Sequence, residues 1–186
     1  KALMALNNMI SSISDVIESE ENRAKIYELL GDATARSDLK PVCYMIFGEI
    51  AHEYYELFAE IAETTVAGAI EYLNGQLSNE DKIAICSFIS RIADAERIRI
   101  ENEEETHGII EKSIEELFGP LTQIAVTFDP TDSDEQLVPQ DIALDLVAKI
   151  ANMFKEAVIP VLADFVKENI VAEDEGARYA SYSFSH

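Results

Sequence analysis

Apolar residues recur at three- and four-residue steps through most of this chain, which is the period of an amphipathic helix. A first stripe holds Leu6, Ile10, Ile13, Ile17, Ala24, Tyr27 and Leu30, and Gly31 follows as a stop. After a polar connector, Pro41 suits the first turn of a second helix, with Ile46, Ile50, Leu57, Ile61 and Ala69 along one side and Asn74-Gly75 at its end. Ser78 is placed to cap a third helix, which carries Ile85, Ile89, Ile92, Ile110 and Ile114 as far as Phe118, before Gly119-Pro120. Pro139 opens a fourth, through Leu144, Val147, Ile150, Phe154, Val158, Leu162 and Phe165, and Pro160 inside it predicts a kink.

The pattern therefore predicts an all-α chain: a single-domain bundle over residues 1–172, built from four main helices near residues 3–31, 41–74, 78–118 and 139–171. Because the connection at 74–78 is so short, the second and third helices are expected to form a long antiparallel hairpin. Residues 121–128, rich in β-branched and aromatic side chains, read as extended, and residues 129–136 as an acidic loop. In the tail, residues 173–186, Ala180, Tyr182 and Phe184 alternate with serines, the spacing of an extended segment. No internal repeat of roughly 20 to 50 residues is visible.

Composition agrees with helices around a sizeable core: 186 residues, 48% hydrophobic, with seven Gly and five Pro. Charge changes the picture more. There are 36 Asp and Glu against 14 Lys and Arg, a formal net charge of −22. Such a surface repels nucleic acid and anionic lipid, and favours cations or basic protein patches. No apolar run is long enough to span a membrane, and nothing at the start reads as a signal peptide. Cys43 and Cys86 lie at different heights of the expected hairpin, which predicts two buried thiols and a reducing compartment such as the cytoplasm.

The acid is concentrated. Glu49, Glu53, Glu56, Glu60 and Glu63 fall at three- and four-residue spacing on the expected second helix, with no Lys or Arg between Lys40 and Lys82. Each like-charged pair costs a helix about 0.2–0.5 kcal/mol, so relief must come from elsewhere. The hairpin places Glu56 and Glu60 level with Arg97 and Arg99 as interhelical partners, and a basic protein partner is the other source.

A second pattern concerns the histidines. Glu49-Ile50-Ala51-His52 and Glu104-Glu105-Thr106-His107 both place a Glu three residues before a His, on one helical face. In the expected hairpin the two motifs come level, and Glu20 interrupts the apolar side of the first helix. These features resemble the ferritin-like and rubrerythrin-like di-iron carboxylate family, whose first half is matched by Glu20, Glu49 and His52. The resemblance implies two iron or manganese ions held by Glu20, Glu49, His52, Glu104 and His107, with oxygen or peroxide chemistry. The sequence departs from that family by carrying both motifs on consecutive helices, and the fourth helix offers Asp141, Asp145, Glu156 and Asp164 but no second motif. The acids of the loop, Asp129, Asp132, Asp134 and Glu135, lack the glycine and closing glutamate of an EF-hand and read as solvated.

Two classes of function account for the whole. One is a non-enzymatic acidic helical protein that binds a basic protein partner through Glu49, Glu53, Glu56, Glu60 and Glu63, or assembles into an oligomer. The other is the di-metal carboxylate protein.

Overall fold

A computed structural model describes residues 1–126 and 138–169, with side chains through 163; the predicted acidic loop and extended tail lie outside the described residues. Among these the chain is all-α, and no helix is long and apolar enough to cross a membrane. The four long helices of the sequence reading are ten shorter ones. The first divides into α1 (Ala2–Met9), a 3-10 turn, α2 (Ser14–Glu18) and α3 (Glu20–Thr34). The second divides into α4 (Lys40–Glu53), α5 (Tyr55–Phe58) and α6 (Ala62–Leu73). The third becomes α7 (Asn79–Glu101) and α8 (Ile109–Val126), and the fourth α9 (Pro139–Met153) and α10 (Lys155–Asn169).

The interruptions follow from features that periodicity does not register. At Tyr54 the backbone leaves the helix (φ −133°, ψ 53°), its amide still bonded to the Ile50 carbonyl at 2.8 Å. There the Tyr54 hydroxyl donates to the Ile10 carbonyl at 2.9 Å and Tyr55 turns inward to Glu96. Phe154 repeats the same break (φ −124°, ψ 49°) after Ile150, so the fourth helix divides at Phe154, and Pro160 lies inside α10. The helix α7 ends in a Schellman motif, with Glu104 N–H on the Arg99 carbonyl and Glu103 N–H on that of Ile100. The left-handed position is filled by Glu103 (φ 59°), where glycine is usual, which hid the stop from the sequence.

Gly119-Pro120 ends nothing: Pro120 sits within α8, and the expected extended segment is helical through Val126. Thr122 Oγ1 donates to the Phe118 and Gly119 carbonyls beside the proline, and Phe118, Leu121, Ile124 and Ala125 bury one face. Burial of that face outweighs β-propensity differences that span only about 1 kcal/mol per residue. The expected cap at Ser78 is present, its hydroxyl accepting from the Asp81 amide while Asp81 returns a bond to Ser78 N–H.

The helices stack in two rows. In one, α4 packs on α1, α7 on α4 and α9 on α7; in the other, α8 packs on α6 and α10 on α8. The long antiparallel hairpin is replaced by a parallel pair. Tyr44 meets Phe88, Gly48 lies against Phe88 and Arg91, and Glu49 pairs with Arg91, so both chains advance together along α4 and α7. This register also brings Cys43 to the level of Cys86, correcting the different heights expected; both are buried free thiols, and burial raises the pKa of each.

Parallel stacking of like elements is repetition, and it leaves a trace in the residues. Glu49-Ile50-Ala51, Arg91-Ile92-Ala93 and Lys149-Ile150-Ala151 occupy α4, α7 and α9, and all three isoleucines are fully buried. The charged residue that opens each triplet bridges to a neighbouring row member: Glu49 to Arg91 at 2.9 Å, and Lys149 to Asp94 at 2.9 Å and Ser90 at 2.6 Å. Uneven connections between the triplets conceal the period.

Candidate partner-binding surface

With the second helix broken at Tyr54 and again near Ile61, its five glutamates are not one stripe. Glu49 pairs with Arg91, and Glu53 accepts from the His52 ring at 3.2 Å. Glu56 is shared, one oxygen 2.7 Å from Arg99 and the other 2.8 Å from His107 Nε2. Glu60 takes Arg23 of α3 in a bidentate pair at 2.9 and 3.1 Å. Glu63 stands exposed in the first turn of α6. Arg99 thus partners Glu56 as the sequence suggested, whereas Arg97 pairs with Asp94 and Glu101 on its own helix.

The His107 hydrogen bond, aided by the nearby Arg99 charge, holds the Glu56 carboxyl below its ordinary pKa. Arg23, 7% exposed, also donates to the Ile17 and Glu18 carbonyls, so one guanidinium joins the α2–α3 turn to the segment between α5 and α6. The Tyr27 hydroxyl reinforces that junction with a 3.0 Å bond to the Leu57 carbonyl.

The five residues considered for a di-metal centre are not gathered. Glu20 is exposed at the start of α3, Glu49 is on Arg91, His52 on Glu53, Glu104 on Arg99 and His107 on Glu56. Among the described residues no group of three or more His, Cys, Asp and Glu is placed to hold a metal ion. The parallel register is the reason: it pairs position 49 with 91, not with 104 or 107.

What the sequence reading missed is Glu96. It is wholly buried, and its carboxylate accepts from the Tyr55 hydroxyl at 2.8 Å and from the amides of Ile109 (2.5 Å) and Ile110 (3.2 Å). A carboxylate at these free amides caps α8 and meets the positive end of its dipole. Tyr55 accepts in turn from the His107 amide, its ring lies tilted against that of His107, and the Arg99 guanidinium sits over it at 4.8 Å. Burial, then the bond to Glu96, raises the Tyr55 hydroxyl pKa well above its ordinary value. The signal was present: Ile85, Ile89, Ile92 and Glu96 continue one four-three-four spacing, which places an acid on the apolar face.

No protein-family model matches this chain, and no curated protein does. Solved structures do. The chain superposes on yeast importin-β (Kap95p) with a TM-score of 0.89 at 18% identity, covering 98% of this chain and 22% of that one. A Kap95:Nup1 complex gives 0.87 at 19% identity over 98% and 22%. A structure in which Kap95p binds RanGDP gives 0.85 at 18% over 98% and 23%. The chain spans less than a quarter of the length of these proteins. At such identity the likeness is one of fold, and the fold is that of an importin-β-type helical-repeat solenoid, not a four-helix bundle.

Proposed function

We propose that the chain is a non-enzymatic, protein-binding stretch of helical solenoid whose acidic surface takes a basic segment of a partner protein. The observation that carries this reading is how the cations are disposed. Arg23, Arg36, Arg91, Arg97 and Arg99, all the arginines of the described residues, are each paired with a carboxylate of this same chain. The charge left facing outward is therefore strongly negative, from a total of 36 acids against 14 bases. Support also comes from the importin-β structures of like fold, two of which hold the protein partners Nup1 and RanGDP.

Within the stretch from Glu49 to Glu63, Glu53 and Glu63 pair with no Lys or Arg among the described residues, while Glu56 and Glu60 offer half-exposed carboxylates at 56% and 49%. The test is fluorescence anisotropy with a labelled Lys/Arg-rich peptide. Screening shortens from about 10 Å at 0.1 M salt to about 3 Å at 1 M, so affinity should fall steeply over that range. Glu53→Lys with Glu63→Lys should weaken binding further and leave helix content intact, because neither breaks an Arg pair. Affinity indifferent to salt and to the double variant would refute the reading. Sedimentation of the peptide-free chain at the same salts reads the competing outcome, self-association.

A further inference from the structure

A crevice of about 660 Å³ opens between the end of α6 with its turn into α7 on one side and the middle of α8 on the other. That is within the range of about 300–1,000 Å³ typical of sites for small ligands and short peptides. Its floor is apolar: Leu73 and Ile124 are buried and Leu77 half-buried. The wall carries the Gln76 amide and, as the one charged group among the described lining residues, Lys82.

Lys82 is the unusual feature. In a chain with 36 acids it is half-buried, and among the described residues its side chain makes neither a hydrogen bond nor an ion pair. The acids beside it in sequence do not satisfy it. Asp81 is committed to the Ser78 amide and hydroxyl at 3.1 and 2.7 Å, and Glu80 is exposed to solvent. With no acid among the described residues to pair with, the Lys82 ammonium is a donor available to an anionic group at the crevice. The occupant that complements this combination has a carboxylate for Lys82, an apolar side chain for Leu73, Leu77 and Ile124, and a peptide group for the Gln76 amide.

We propose that this crevice is a second docking site, for a short extended segment of a partner protein that presents an apolar residue next to an aspartate or glutamate. It lies apart from the stretch Glu49 to Glu63 and has the opposite charge preference, so it stands independently of the basic-partner reading.

The probe is a blocked peptide, Gly-Asp-Leu-Ser-Gly, titrated into the full chain while amide resonances of Gly75 and Gly119 are followed by NMR. Saturating shifts at both glycines are expected. A lost charge-assisted hydrogen bond corresponds to about tenfold in affinity, so the peptide with Asn for Asp and the variant Lys82→Gln should each bind about tenfold more weakly.

A plug provides a variant that keeps the fold. A Cβ built at Gly119 meets no atom within 4 Å, so Gly119→Leu extends into open space and should abolish binding with the thermal melt unchanged. The residue precedes Pro120, and α10 accommodates Ile159 before Pro160 in the same way. Absence of shifts at millimolar peptide, equal binding of the Asn peptide, or wild-type binding by the folded Gly119→Leu variant would each overturn the proposal.

Discussion

Glu96 shows how much can hang on one side chain. Three donors from two places in the chain, the Tyr55 hydroxyl and the adjacent amides of Ile109 and Ile110, converge on its carboxylate out of contact with water. Glu96→Leu preserves apolar volume but leaves all three donors buried and unpaired, at about 1–3 kcal/mol each, so a loss of roughly 3 kcal/mol or more is expected. Urea denaturation measures it. Glu96→Gln keeps one oxygen as acceptor and should cost clearly less; a Leu variant as stable as wild type would show that the buried carboxylate does not hold the α7–α8 junction. Arg23 was equally unexpected, since the spacing marked Ala24 as the inward position, yet Arg23 is buried and Ala24 exposed.

At the scale of elements, the decisive contact is between α4 and α7. Their backbones approach so closely that a Cβ at Gly48 would stand 3.2 Å from the Phe88 Cα, a backbone atom that cannot swing aside. Gly48→Val should therefore separate the two helices and destabilise the chain by about 1–3 kcal/mol, the usual cost of overpacking. Gly48→Ala should do so in the same direction and by less. Thermal melts of the two variants give the order; an alanine variant more stable than wild type would show that helix propensity prevails over this contact. Glycine inside a helix normally costs about 0.5–1 kcal/mol relative to alanine, and a sequence reading that priced Gly48 on propensity alone would miss the steric reason for it.

Taken whole, the molecule is a stack in which each helix pair touches chiefly its neighbours. Of the first three helices, α1 and α3 pack on α4 and α2 packs on α3, while Arg23 and Tyr27 reach the segment from Leu57 to Glu60. In such an array stability is close to a sum of local and nearest-neighbour parts. Removing residues 1–34 should thus lower the melting temperature yet leave hydrogen-exchange protection at Ile85, Ile89 and Ile92 within about tenfold of the intact chain. A bundle with one shared core would instead lose protection throughout, and that result would contradict the solenoid description. The acidic surface belongs to this scale as well, since its outward charge is what remains after the ion pairs between neighbouring helices have formed.

The sequence by itself determined what is local or additive. Periodicity made the chain all-α, Ser78 and Pro139 marked true helix starts, and composition set the net charge. The Glu56–Arg99 pair was named as well, but from an antiparallel hairpin; it forms because the parallel register that sets Tyr55 against Glu96 also brings these two level. Only the structure showed where the long stripes break: the Tyr54 hydroxyl bonds to distant Ile10, the stop at Glu103 uses an atypical residue, and the break at Phe154 carries no mark in the sequence. It also decided that α4 and α7 run parallel, which separated the two Glu-x-x-His motifs and dispersed the glutamate stripe. The physical reason is that a 3.6-residue stripe says which face is buried but not what covers it. Antiparallel and parallel neighbours satisfy the same stripe; the direction is read from contacts that advance together along both helices, Tyr44 with Phe88, Glu49 with Arg91 and Tyr55 with Glu96.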